Sequence, residues 1–144
     1  FDHALPALGI EPAPALIADL VRCYRDHAPA ITLAPDAQHF LDRSPADRPL
    51  ALLTDGLHAS QRNKVAALGL DEGRLDPIVF TDAWGRDYWK PHQRGFEAIA
   101  DAFRLPPESL VYVADNPAKD FVAPNRLGWR TVQIARPGGV HHGN

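Results

Sequence analysis

The segment around residue 115 constrains the fold more than any other part of the sequence. An apolar run over residues 110–113 leads to Asp115, and a second acid, Asp120, follows across a turn that contains Pro117. An uninterrupted apolar run of this length, bounded by polar turn residues, is typical of a parallel strand buried on both faces. Open α/β sheets bind their ligands at the carboxyl ends of such strands, so we predict a functional site at the two acids.

Three further apolar runs predict strands that alternate with helices. These runs cover residues 50–53, 77–80 and 131–134. Helical periodicity or helix-start signals follow each of the first two runs and the run at 110–113. The predicted helices cover residues 59–68, 91–103 and 117–128, with Pro124 as a kink or break in the last. This alternation predicts an α/β, Rossmann-like fold, in which helices cover both faces of a parallel sheet.

Two predicted helices precede the alternating unit. Residues 14–27 carry apolar side chains at the spacing of one helical face, and residues 35–43 predict a shorter helix. We therefore divide the chain into an accessory segment, residues 1–29, and an α/β core, residues 30–144.

Composition and charge exclude several classes of protein. A formal net charge of -3 gives no electrostatic reason to expect a nucleic acid or an anionic membrane as partner. Cys23 is the single cysteine, which rules out an internal disulfide and fits a reducing compartment, so we expect a cytoplasmic protein. The sequence has no methionine and begins with Phe1, so we expect it to be part of a longer polypeptide.

Polar residues stand at strand ends or helix starts in three places. The turn Thr54-Asp55-Gly56 offers a hydroxyl and exposed amides, which can hold phosphate oxygens. Lys90 can neutralise an anion, and the carboxylates of Asp115 and Asp120 suit a hard cation such as Mg²⁺. Each group alone also has an ordinary interpretation, as a turn, a solvated lysine or a helix cap. Their order and spacing together favour a site for metal-assisted chemistry on a phosphate.

That order resembles the haloacid dehalogenase superfamily, which includes phosphohydrolases with an aspartate nucleophile. Thr54 in ALLTDG matches the family's second motif, and Lys90 in YWKPH matches the third. Asp115 and Asp120 in VADNPAKD match the fourth, which usually opens with Gly where this chain has Ala114. The resemblance covers residues 30 to 136.

The resemblance implies a role for each of these groups. The Thr54-Asp55-Gly56 turn would bind the transferring phosphoryl group, and its threonine hydroxyl and Lys90 would be the catalytic groups in this chain. Asp115 would be the direct Mg²⁺ ligand. Asp120 would act through water or orient Lys90, and Asn116 would assist at the metal or the phosphate. The implied activity is Mg²⁺-dependent hydrolysis of a small phosphorylated metabolite through an aspartyl-phosphate.

The family's first motif, Asp-x-Asp after the opening strand, has no counterpart in this sequence. Phe1-Asp2-His3-Ala4 echoes its beginning, but Ala4 occupies the place of the second Asp. The resemblance therefore implies that residues 1–29 are the end of a helical cap. It also implies that the central first strand and the nucleophile are missing from the chain.

Two alternatives to a phosphatase stay open. One is a 2-haloacid dehalogenase, because the same scaffold can displace halide without a metal. The other is a non-catalytic binding or regulatory domain that has lost the first motif. The aromatic loop at residues 84–89 also has two interpretations, as a border of the substrate site or as packing beneath the adjoining helix.

Overall fold

The computed structural model describes residues 1–70 and 73–141, so part of the predicted core range, residues 71, 72 and 142–144, lies outside the described residues. Six α-helices lie in the described ranges: α1 (Ala4–Ala7), α2 (Pro14–Asp26), α3 (Pro35–Arg43), α4 (His58–Ala67), α5 (Arg94–Phe103) and α6 (Val122–Arg126). Four strands accompany them: β1 (Leu52–Thr54), β2 (Ile78–Phe80), β3 (Val111–Ala114) and β4 (Arg130–Gln133). Short 3-10 helices occupy Thr81–Trp84, Arg86–Tyr88 and Pro107–Ser109.

The strands are parallel and form two hydrogen-bonded pairs. β1 pairs with β2, so that Leu53 lies opposite Val79, and β3 pairs with β4, so that Val113 lies opposite Val132. The predicted α/β class with parallel strands is confirmed. Within residues 1–70 and 73–141, however, the two pairs are separate two-stranded sheets. A central strand between them stays a prediction.

One hydrophobic core joins the two strand pairs. Phe96 of α5 is fully buried, and its ring makes edge-to-face contacts with Tyr112 and Trp129, at centroid distances of 4.8 and 5.7 Å. Leu53 and Val79 of the first pair belong to the same cluster of buried side chains. Because α5 packs against both pairs, it fixes the relative positions of the loops at their carboxyl ends.

The β3–β4 pair has a second face that the described residues leave largely open. Val111, Val113 and Val132 are 52%, 46% and 48% exposed. Residues at alternate positions of a strand share a face, and Val132 lies opposite Val113, so the three side chains form one apolar surface.

The two helices predicted before the alternating unit are confirmed, and α2 packs against α4. Ser60 Oγ donates a hydrogen bond to the carbonyl of Arg25 at 2.8 Å, and Asn63 Nδ2 donates to the carbonyls of Asp26 and His27, each at 3.1 Å. These carbonyls lie at the end of α2, where a helix leaves its carbonyls without internal partners. The division of the chain at residues 29 and 30 stays a prediction.

Two of the predicted helices begin later than expected. The helix predicted from Pro91 begins at Arg94, because the chain first makes a turn in which the amide of His92 donates to the carbonyl of Trp89 at 2.9 Å.

The helix predicted from Pro117 begins only with α6. Side chains take up backbone amides in the intervening turn: Asn116 Oδ1 accepts from the amide two residues later at 3.0 Å, and Asp120 Oδ2 accepts from the amide of Asn116 at 3.1 Å. Local bonds of this kind compete with helix formation. Pro124, predicted as a kink or break, instead lies in the first turn of α6, where a missing amide hydrogen is tolerated.

No helix in the described ranges is both long enough and apolar enough to cross a lipid bilayer.

Candidate active site

Lys90 connects the carboxyl ends of the two strand pairs. Its Nζ lies 2.9 Å from Asp120 Oδ1 and 3.9 Å from Asp55 Oδ2, and it donates a hydrogen bond to the Tyr112 hydroxyl at 3.0 Å. Asp55 follows β1, whereas Asp120 follows β3. The side chains of Lys90, Asp55 and Asp120 are only 9%, 5% and 4% exposed. With Lys119, described next, Asp55, Lys90 and Asp120 form what we call the charged cluster.

The carboxylate of Asp55 is the anchor of this cluster. Its Oδ1 accepts hydrogen bonds from Thr81 Oγ1 at 2.9 Å and from the amide of Lys90 at 3.2 Å. Its Oδ2 lies 3.2 Å from Lys119 Nζ. Thr81 is fully buried after β2, and its hydroxyl also lies within 3.2 Å of the carbonyl of Thr54. Asp55 therefore holds together the ends of β1 and β2 and the segments that carry the two lysines.

Asp120 depends on Lys90 for its charge balance. Its Oδ2 accepts a backbone hydrogen bond. Among the described residues, its Oδ1 has no aligned hydrogen-bond donor, and the Lys90 ammonium is its one counter-charge. Burial by itself would lower the pKa of Lys90, yet the neighbouring Tyr112 and Asp120 outweigh it and hold that pKa above the ordinary lysine value. Lys90 is thus a fixed positive charge at neutral pH.

Tyr112 contacts the cluster from β3. Burial raises the pKa of its phenol, and the adjacent Lys90 offsets part of that rise. Its ring also packs against Phe96. One side chain therefore links the hydrophobic core to the charged cluster.

The Thr54-Asp55-Gly56 turn is covered by Gln61 of α4. The Thr54 hydroxyl donates to Gln61 Oε1 at 2.9 Å. Gly56 has φ of +115°, and a Cβ atom there would lie 2.6 Å from Gln61 Nε2. The backbone conformation therefore favours glycine at this position, whereas the close contact is with the movable end of the Gln61 side chain.

Asp115 and Asn116 stand apart from the charged cluster. Asp115 is exposed and borders a cavity of about 50 Å³ whose other lining residues are Ile134, Arg136, Gly139 and His141. In the described ranges, no hydrogen bond or ion pair recorded for Asp115 joins it to Lys90, Asp55 or Asp120. The side-chain oxygen of Asn116 is used within its own turn. The structure thus brings Asp120, but not Asp115, to Lys90.

The donor atoms near Asp115 are compatible with Mg²⁺. Residues 1–70 and 73–141 contain no group of three or more His, Cys, Asp or Glu side chains close enough to hold a metal ion. Mg²⁺ nevertheless keeps several waters and is often bound through one or two carboxylates. Asp115 offers an exposed carboxylate, and the nearby cation Arg136 is engaged by Asp36 at 2.9 Å. The described residues thus offer one exposed carboxylate of the kind that Mg²⁺ takes as a ligand, and a metal site at Asp115 stays a prediction.

Four residues at the site were not assigned a role from the sequence, namely Gln61, Thr81, Tyr112 and Lys119. For two of them, the sequence contains a pattern that indicates a role at the site. Thr81 follows β2 as Thr54 ends β1, and Tyr112 is the one polar-tipped side chain in an otherwise aliphatic run. Gln61 lies in no pattern that distinguishes it from other polar residues of α4.

The aromatic loop at residues 84–89 packs against the start of α5. The guanidinium carbon of Arg94 lies 4.7 Å from the ring centroids of both Trp84 and Tyr88. Trp89 Nε1 donates to Asp82 Oδ1 at 3.1 Å. These contacts agree with the packing interpretation of the loop, and a contact with substrate stays a prediction.

Known proteins resemble this chain in both sequence and fold. A family model described as HAD-hydrolase-like matches residues 88–142, the part that carries Lys90, Asp115 and Asp120. The chain is 31% identical over 138 residues to a glyceraldehyde 3-phosphate phosphatase of Methanopyrus kandleri, covering 94% of this chain and 58% of the relative. It is 26% identical over 135 residues to an (S)-2-haloacid dehalogenase of Xanthobacter autotrophicus, covering 93% and 49%.

A third relative is a phosphoserine phosphatase of Thermus thermophilus, 30% identical over 125 residues, with 86% of this chain and 49% of the relative covered. The chain thus spans about half the length of the curated relatives that it matches.

A solved structure shares the fold. It is a haloacid dehalogenase-like protein of unknown function from Agrobacterium tumefaciens, with a TM-score of 0.67 at 18% identity, and the match covers 97% of this chain and 61% of that one. This likeness supports the Rossmann-like α/β fold that was predicted. The family match over residues 88–142 and the sequence relatives support a place for this chain in the haloacid dehalogenase-like superfamily, and the shared fold agrees with it.

Proposed function

We propose that the protein containing this chain is a Mg²⁺-dependent phosphatase that acts on a small phosphorylated metabolite. The observation that carries the proposal is the position of Lys90 Nζ, between the carboxylates that follow β1 and β3. A buried ammonium at the carboxyl ends of parallel strands suits an anionic substrate. Two of the relatives described above are phosphatases, which supports the same choice.

Each proposed role follows from the contacts of the side chain concerned. Lys90 would offset the negative charge that builds up on the transferring phosphoryl group, and Asp120 would keep its ammonium in position. The Thr54 hydroxyl and the amides of Asp55 and Gly56 would bind the phosphoryl oxygens. Thr54 would first have to release Gln61, to which its hydroxyl is bonded.

Metal and nucleophile complete the proposed site. When bound, Mg²⁺ would be held directly by Asp115, with Asp120 acting through water and Asn116 assisting, and it would withdraw charge from a phosphoryl oxygen. The nucleophile would be an aspartate from outside these 144 residues. Its carboxylate oxygen would form a bond to phosphorus as the bond between phosphorus and the ester oxygen breaks, and the departing alcohol would take a proton from solvent. Water would then hydrolyse the aspartyl-phosphate to the free aspartate and inorganic phosphate.

The test uses the complete reading frame that contains this chain. We expect hydrolysis of p-nitrophenyl phosphate and of at least one small phosphomonoester, dependent on added Mg²⁺. Asp115→Asn should lower kcat/KM by at least about 100-fold if the carboxylate is a direct ligand, on the scale of losing one main electrostatic group. Lys64→Met, on the exposed side of α4, is the matched control. Full activity of Asp115→Asn would remove Asp115 from the metal site.

A 2-haloacid dehalogenase is the second candidate, because one of the relatives carries that name. The carboxylate of Asp115 argues against a dehalogenase, because an exposed acid at this strand end would repel an anionic substrate in the absence of a cation. Release of halide from a 2-haloacid without added metal would reverse the ranking. A reading frame with no Asp-x-Asp-x-Thr after an apolar strand would instead favour the non-catalytic domain.

A cytoplasmic location and a cap role for residues 1–29 belong to the same proposal. The free thiol of Cys23 is exposed on α2, which fits a reducing compartment.

A further inference from the structure

The distribution of lysine in this chain is unusual. The sequence has 15 Lys and Arg residues, and only Lys64, Lys90 and Lys119 are lysines. Two of these three meet at one carboxylate oxygen, because Asp55 Oδ2 lies 3.2 Å from Lys119 Nζ and 3.9 Å from Lys90 Nζ. They reach it from different segments, one before α5 and one after β3. The chain thus places two of its few compact cationic side chains at a single point.

The two lysines differ in how much of their hydrogen-bonding capacity is used. Lys90 is 9% exposed and has Asp55, Asp120 and Tyr112 around its ammonium. The Lys119 side chain is 40% exposed, and its recorded partner is Asp55. An ammonium has three donors, so Lys119 can keep its contact with Asp55 and still donate to a ligand that approaches from solvent.

Asp55 has hydrogen-bonding and charged partners other than Lys119. Its Oδ1 already accepts from Thr81 Oγ1 and from the amide of Lys90, and its Oδ2 faces the Lys90 ammonium. The Lys119 side chain is 40% exposed, so solvent screens part of its attraction to the buried carboxylate of Asp55. The contact is therefore better explained as a means of holding the Lys119 ammonium in place than as a fold-stabilising bond.

The net charge of the cluster also favours a role for Lys119 in binding an anion. Without Lys119, the charged cluster would contain two carboxylates and one ammonium, and its net negative charge would oppose the entry of an oxyanion. With Lys119 the cluster is formally neutral, and the added positive charge lies on its solvent-accessible side. Lysine is well suited to this role, because its ammonium is a compact point charge that contacts phosphate groups.

We propose that Lys119 is a binding residue for a phosphate oxyanion at the open side of the charged cluster, with Asp55 holding its ammonium in position. The inference rests on the proposed function, since the oxyanion would be the phosphoryl group of the substrate or the inorganic phosphate product.

The chain offers a direct test, because it contributes three lysine side-chain signals. The complete reading frame, labelled with ¹³C at lysine Cε, is titrated with inorganic phosphate, and these three signals are assigned from Lys64→Met, Lys90→Met and Lys119→Met. We expect the Lys119 signal to shift in a saturable manner while the Lys64 signal stays in place. Sodium chloride at equal ionic strength and glycolate, a small carboxylate, should produce no comparable shift. Lys119→Met should weaken phosphate binding, followed by calorimetry, on the order of tenfold.

Several outcomes would overturn this inference without touching the proposed function. These are a Lys90 signal that responds to phosphate while Lys119 does not, an unchanged affinity in Lys119→Met, and an equal response to glycolate. A lack of response in all three lysine signals would also overturn it. Lys119→Gln serves as a second variant, and its circular dichroism spectrum reports folding. Hydrolysis by the complete reading frame decides the proposed function separately.

Discussion

At the scale of single residues, the Lys90–Asp120 pair connects stability to the candidate site. Both side chains are nearly inaccessible to solvent, and Asp120 Oδ1 has the Lys90 ammonium as its recorded counter-charge. Removing one member of a buried pair leaves the other charged and poorly solvated, which is more damaging than losing the pair as a whole. The fold therefore depends on the same ammonium that we propose for phosphate chemistry.

We predict that Lys90→Met lowers the free energy of unfolding at pH 7 by about 3 kcal/mol, because Asp120 would be left buried without its cation. The pKa of Lys90 is raised above its ordinary value of 10.5. The contribution of the Lys90–Asp120 pair to the free energy of unfolding is thus complete below pH 10.5. It is lost as the pH rises through the pKa of Lys90 in the folded state. Urea unfolding from pH 7 to 11 should show the difference between wild type and variant shrinking at the alkaline end.

Lys64→Met is the matched control for this measurement. Lys64 is an exposed lysine of α4, so its replacement should change the unfolding free energy by less than about 0.5 kcal/mol. A Lys90→Met variant as stable as wild type would mean that Asp120 finds another counter-charge.

Single residues also show how far the sequence predicts the site. The motif spacing pointed to Thr54, Lys90 and the acidic pair Asp115 and Asp120. The structure joins Lys90 directly to Asp120 but not to Asp115. Lys119 could not be assigned, because its contact with Asp55 depends on the relative placement of segments distant in sequence. Hydrophobic periodicity carries no information on such polar contacts between segments.

At the scale of elements, the strands and the helices α2 and α3 follow from apolar patterning, whereas the starts of α5 and α6 do not. Proline at position 91 or 117 is compatible with the first turn of a helix, and that local preference suggested both early starts. The observed turns are stabilised by specific hydrogen bonds, such as those of Asn116 and Asp120. Those bonds involve the residues of the candidate site, so the site itself displaces the helix start.

The first turn of α5 yields a second prediction, through Gly95. A Cβ atom there would lie 2.5 Å from Leu53 Cδ1 and 3.4 Å from Thr81 Cγ2. Alanine favours a helix over glycine by roughly 0.5–1 kcal/mol, but overpacking a core costs about 1–3 kcal/mol. We therefore expect Gly95→Ala to be destabilising by about 1 kcal/mol or more in denaturant unfolding.

The control for Gly95→Ala is the same change in a Leu53→Ala background. Leu53→Ala alone should cost about 2–5 kcal/mol. Once the Leu53 methyl groups are gone, adding the methyl group at position 95 should be neutral or stabilising. Additive effects in this double-mutant cycle would show that α5 does not press against β1 at this point.

At the scale of the whole molecule, Arg136 after β4 is tied to Asp36 on α3. The contact joins residues 100 positions apart, with distances of 3.2 and 3.0 Å from Arg136 Nε to the two carboxylate oxygens. The hydrogen bond from Arg136 lowers the pKa of Asp36 below its ordinary value. The pair's stabilising effect is therefore present above the unfolded-state pKa and is lost as the pH falls through the folded-state pKa.

We predict that Asp36→Asn lowers the melting temperature slightly at pH 6 and that the difference from wild type disappears in acid. Arg136→Gln should have the same effect, and the double variant should lose little more, because both changes remove one interaction. High salt should reduce the difference, since both side chains are partly exposed. Full additivity of the two variants in thermal melts would contradict the pairing in solution.

The last prediction concerns whether the two strand pairs unfold as one unit. Phe96 lies at the centre of the core that both pairs share, and the charged cluster forms their second connection at the carboxyl ends of the strands. With both connections intact, tryptophan fluorescence, which includes buried Trp129, and far-ultraviolet circular dichroism should give coincident urea transitions. Phe96→Ala should lower the unfolding free energy by about 3–5 kcal/mol. Phe40→Ala, at a half-exposed site of α3, is the control and should lower the unfolding free energy far less. Separate fluorescence and circular dichroism transitions in the wild-type chain would show that the strand pairs unfold independently.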